Sequence, residues 1–97
     1  MATYIVIANF TDQGMRSVRD TTKRAEGIKD AAQKFGVSLK DIYWTLGAYD
    51  VVAIFDASDE LAVTAFGLSI GAAGNVRTQT LRAFSKDEMN TVLSKLA

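Results

Sequence analysis

The run from Thr3 to Phe10 constrains this chain most. It is rich in β-branched and aromatic residues, and Tyr4, Ile5, Val6, Ile7 and Ala8 make it apolar on both alternating faces. Successive side chains of a strand point to opposite faces of a sheet, so such a run reads as a central strand that needs a cover on each side. The rest of the chain has to supply both covers.

Thr11-Asp12-Gln13-Gly14 breaks the strand, and a helical stripe follows through Met15, Val18, Thr22, Ala25, Ile28, Ala32 and Phe35. The pattern fits one helix from Gly14, or a short turn and then a helix capped near Asp20 or Thr21; Gly36 ends it in either case. Arg16 with Asp20, Asp20 with Arg24, and Asp30 with Lys34 stand at i to i+4 spacing, which predicts weak surface ion pairs of about 0.2–0.5 kcal/mol each. Two alternating runs, Asp41 to Leu46 and Val51 to Asp56, flank Gly47-Ala48-Tyr49-Asp50 and read as a hairpin. Ile42, Trp44 and Leu46 share one face of its first strand, and Tyr43 and Thr45 the other.

Ser58 is the expected N-cap of a second helix, with Asp59 and Glu60 in its first turn, an apolar stripe at Leu61, Ala65, Leu68 and Ala72, and Gly74 as its stop. Gly67 and Gly71 on that helix predict close packing against a sheet. Asn75 to Phe84 alternates as a fourth strand, with Arg77 and Gln79 on one side and Val76, Thr78 and Thr80 on the other. Ser85 and Glu88 form an S-x-x-E capping box, with Phe84 and Met89 placed as a hydrophobic staple, and Met89, Val92, Leu93 and Leu96 form the last helix's stripe.

The order βαββαβα predicts one α+β domain over residues 1–97: a ferredoxin-like split βαβ fold with a four-stranded antiparallel sheet and an added C-terminal helix. Two helices cover one face of such a sheet. The strands are apolar on both faces, so a homodimer packed sheet to sheet is expected.

Composition removes much chemistry. The 97 residues include no Cys and no His, so no thiolate, no imidazole base and no common zinc site is available, and neither a metal nor a cofactor is called for. Lys plus Arg (11) equals Asp plus Glu (11), which gives no net field toward nucleic acid or a membrane. RNA-recognition motifs share the topology, but their third strand carries a basic residue, Gly and stacking aromatics where this chain has Tyr49-Asp50-Val51-Val52-Ala53-Ile54-Phe55. Met1-Ala2-Thr3 lacks the cationic start of a signal peptide, and Leu61 to Gly74 is too short to span a bilayer, so a cytoplasmic location is expected.

Gly47-Ala48-Tyr49-Asp50, followed by Val51-Val52-Ala53-Ile54, resembles the G-x-Y-D signature that gives the GYD domain family its name. Thr11-Asp12-Gln13-Gly14, Lys23-Arg24-Ala25-Glu26, Gly74-Asn75-Val76-Arg77-Thr78 and Thr80-Leu81-Arg82-Ala83-Phe84 are similar to further blocks of that family, and together these cover nearly the whole chain. One departure is Thr21-Thr22, where members often carry Pro before the Lys/Arg pair. The resemblance implies a ferredoxin-like domain of the dimeric α/β-barrel type and brings no particular activity with it. Related barrels include cofactor-free mono-oxygenases, isomerases and ligand-sensing domains, a fold-level analogy.

Candidate residues follow. Tyr49 and Asp50 form a possible acid and base pair, set against a plain role for Asp50 in accepting backbone N–H bonds in a turn. Tyr43, Thr45, Arg77 and Gln79 are candidate ligand contacts, since they interrupt an otherwise apolar sheet. Arg24 is assigned to a surface pair with Asp20, and Trp44 to a core or interface. The expected function is binding or sensing a small molecule as a homo-oligomer; a cofactor-free isomerase or mono-oxygenase and a structural oligomerisation module are the alternatives.

Overall fold

In the computed structural model, which describes Met1–Ala97, the central strand is Ala2–Phe10 (β1). It is followed by a short helix Asp12–Arg16 (α1), a 3₁₀ turn Val18–Asp20, and a helix Thr21–Lys34 (α2). The hairpin strands Val37–Trp44 (β2) and Val51–Ala57 (β3), a helix Glu60–Ala73 (α3), the strand Val76–Ala83 (β4) and a last helix Lys86–Ser94 (α4) complete the chain. The sheet is antiparallel throughout in the order β2-β3-β1-β4, the ferredoxin-like arrangement. β1 therefore lies inside, with Ala8 opposite both Val51 and Thr78.

The alternation of β1 and β3 sends Tyr4, Ala53, Phe55 and Ala57 to one face, where they pack with Val37, with Ala32 of α2, and with Val63 and Phe66 of α3. The Phe66 ring lies 5.5 Å from that of Phe55 and 5.7 Å from that of Phe35. The opposite face carries Ile5, Ile7, Val52, Ile54 and Leu81, and neither α2 nor α3 packs on it. The first strand's second cover is missing from the single chain.

Several elements depart from the sequence reading. β2 starts at Val37, carries a bulge between Leu39 and Asp41 and ends at Trp44, so Leu46 is fully exposed in the hairpin loop instead of sharing a face with Ile42 and Trp44. The helical stripe takes the second of its two readings, with α2 beginning at Thr21 and Asp20 at its N-cap position; the departures there are that Asp20 makes no side-chain cap and that Thr21 instead of Thr22 faces the sheet. Asp59, not Ser58, caps α3, its carboxylate accepting from the Leu61 N–H at 2.9 Å. The face that α3 buries is Val63, Phe66 and Ile70, while Leu61 and Leu68 are 79% and 70% exposed. A Cβ on Gly67 or Gly71 would meet nothing within 4 Å, so these glycines leave open space rather than permit close packing. The expected helix ion pairs are absent; the two pairs formed are Lys40 with Asp56 and Arg82 with Glu88.

The stops and the last cap agree with expectation. Gly36 and Gly74 end their helices with φ of 73° and 88°. Ser85 and Glu88 exchange side-chain and backbone bonds at 3.0 and 3.1 Å. α4 nevertheless buries none of its residues.

Candidate functional site

α2 packs chiefly on β2, and α3 has its largest set of contacts with β4, the two outer strands of the sheet. The space above the central strands is left partly open between the helices. Small residues keep it so: Ala8 and Ala53 on the floor, Ala25, Gly27 and Ala31 from α2, and Gly67 and Ala73 from α3. The result is a cleft of about 370 Å³ that runs from Phe55 and Phe66 toward Phe10, Trp44 and Val76, within the size range of small-molecule sites. Its lining is mostly apolar, with Thr21, Arg24, Ser69, Asn75, Thr78 and Thr80 as the polar contributors.

The polar end of the cleft is built by two blocks distant in sequence. The Thr11 N–H donates to the Asn75 carbonyl at 3.1 Å, the Thr11 hydroxyl to the Gly74 carbonyl at 2.5 Å, and Gln13 Nε2 to the Ala73 carbonyl and to Asn75 Oδ1, both at 3.1 Å. Gly14 is required there, because a Cβ would sit 2.0 Å from the Asn75 oxygen. Arg24 reaches the same end: Nη1 donates to Ser17 Oγ at 2.9 Å and Nη2 to the Gly14 carbonyl at 3.4 Å. Trp44 Nε1 donates to Thr21 Oγ1 at 3.0 Å and ties β2 to the start of α2.

The sequence-derived candidates stand elsewhere. The Asp50 carboxylate accepts from the Phe10 N–H at 2.9 Å, its own N–H donates to the Ala8 carbonyl at 2.9 Å, and its carbonyl accepts from the Thr45 N–H at 2.8 Å. Asp50 thereby fastens the hairpin loop to the end of β1. Tyr49 lies in that loop, its carbonyl accepting from the Thr45 hydroxyl at 2.6 Å. Tyr43, Arg77 and Gln79 share the uncovered face of the sheet, in register with Val52, Asn9 and Ile7. None of the six lines the cleft.

Sequence reasoning chose none of the residues that line the cleft, Arg24, Trp44 and Asn75 among them. A signal for Arg24 was present: it stands three residues after Thr21 and four before Ile28, on the side of α2 that meets the sheet. The two titratable groups with shifted pKa values lie outside the cleft lining. Burial first, and then the Glu60 carboxylate, raises that of the Tyr4 hydroxyl, whereas the Ser85 N–H first, and then Arg82, lowers that of Glu88.

Comparison with known proteins places the chain. It is 36% identical over 87 residues to a Thermus thermophilus protein named "Glutamine synthetase and cystathionine beta-lyase binding protein", covering 86% of this chain and 88% of that one. The crystal structure of TTHA0845, also from Thermus thermophilus, superposes with a TM-score of 0.57 at 23% identity, over 88% of this chain and 95% of that one, a likeness of fold. The sequence model of the GYD domain matches residues 4–93, and this chain belongs to the GYD domain family.

Proposed function

We propose that this protein is a small-molecule-binding domain that works as a homodimer. The cleft carries this reading: about 370 Å³ of mostly apolar space with a few polar side chains in its lining is the usual form of a ligand site. The uncovered apolar sheet face supports self-association, with Tyr43, Arg77 and Gln79 as the polar residues of that interface. A thermal-shift screen of small carboxylic acids, alcohols, amines and aromatic heterocycles tests it, since a ligand of the folded state must raise the midpoint. A screen in which no compound moves the midpoint removes the reading.

A second reading is favoured by the name of the 36% identical relative, which describes binding to two enzymes. Here the uncovered sheet face or α4 meets a larger protein. Co-elution with purified glutamine synthetase or cystathionine β-lyase on a sizing column supports it; separate elution at micromolar concentrations of both rejects it.

A further inference from the structure

We infer that the cleft selects small amphipathic monocarboxylates, with the carboxylate held by Arg24 and the hydrocarbon part lying over Ala8 and Ala53. The inference rests on the small-molecule reading and adds the ligand's chemical class. Arg24 is the one charged residue in the lining, and no acid accompanies it. Both ion pairs of the chain are made by other residues, so this half-buried guanidinium has no protein counter-charge. A cation held away from water without a partner is unfavourable, and an anion at this end of the cleft removes that cost.

The geometry suits a carboxylate. A guanidinium carries five N–H donors in a planar fork that matches two carboxylate oxygens. Ser17 and Gly14 fix its position, and Ser17 can serve as acceptor because its own hydroxyl proton goes to the Gln13 carbonyl at 3.2 Å. A single cation fits a monoanion better than a phosphate or dicarboxylate, and it repels amines. At about 30 Å³ per non-hydrogen atom, as in liquid water, the space holds about a dozen such atoms.

Octanoate and octanol are therefore the probes, because they share a tail and differ in charge. Trp44 is the one tryptophan of the chain and lines the cleft, so its emission reports occupancy. At pH 7 the wild type is expected to bind octanoate at least about tenfold more tightly than octanol, the scale of a charge-assisted hydrogen bond. Arg24→Gln should abolish that preference and keep octanol affinity within about twofold, and Arg24→Lys should retain a smaller preference. Equal wild-type affinity for the two probes overturns the inference and leaves the cleft a neutral ligand site; binding of neither overturns the inference and counts against the small-molecule reading as well. The wild-type comparison decides even where a variant fails to fold.

Discussion

Asp50 and Arg24 show how differently single residues can be read from a sequence. A Tyr-Asp pair in a short loop suggests backbone capping, and Asp50 does accept the Phe10 N–H at 2.9 Å. Removing the acceptor leaves that part-buried N–H unpaired, so Asp50→Ala should cost about 1–2 kcal/mol in urea denaturation. Asp50→Asn keeps an oxygen in place and should cost less; no loss in Asp50→Ala would show that the bond contributes nothing. Gly14→Ala forces a Cβ against the Asn75 carbonyl and should cost about 2 kcal/mol or more, with little relief available from backbone on both sides. Arg24 was hidden because i to i+4 spacing offered it Asp20, a pairing that presumes one continuous helix. α2 starts at Thr21, which places Asp20 in the preceding 3₁₀ turn, and the geometry behind the pairing lapses.

Among the elements, those specified by local bonds were legible and those specified by docking were not. The α4 capping box depends on four consecutive residues, and the glycine stops depend on φ alone, so both can be read from sequence. α3 is different: Leu61, Val63, Phe66, Leu68 and Ile70 spread around it, so periodicity does not select a buried face, and its docking on β4 does. The cleft was invisible for the same reason, since it arises where two helices each favour an outer strand. α4 also carries a pH dependence. The folded-state pKa of Glu88 is lowered, so its stabilising bonds are fully present above the unfolded value of about 4.3 and disappear as pH falls through the lower folded value. Glu88→Gln keeps one acceptor oxygen and removes the charge and the second acceptor, and the wild type should be the more stable of the two at pH 7, by urea denaturation followed by circular dichroism. That difference should close as pH falls through the lowered folded-state value of Glu88. A difference that persists at pH 2 would assign the effect to shape instead of charge.

The whole molecule is larger than its sequence length calls for. A compact chain of 97 residues has a radius of gyration of about 12.5 Å, against 14.6 Å here, and the longest extent is 52 Å. A folded monomer of 10.5 kDa exposes about 5,400 Å², whereas this one exposes 6710 Å². The excess of about 1,300 Å² exceeds the ~800 Å² that each partner of a standard interface buries. It coincides with two apolar surfaces that lack a cover: the sheet face of Ile5, Ile7, Val52, Ile54 and Leu81, and the α4 stripe, where Met89 and Leu93 are 45% and 50% exposed. A strand apolar on both faces in a chain with two sheet-covering helices was already the sequence's statement of this imbalance. A second copy presenting the same face satisfies it with one isologous contact. Light scattering should therefore find a dimer at about 10 μM, and Ile54→Lys, which places a charge at the centre of the bare face next to Asp41, should release monomers with unchanged circular dichroism. A wild-type monomer at that concentration would mean that the face is kept for another protein, and the enzymes named for the 36% identical relative are then the first to try.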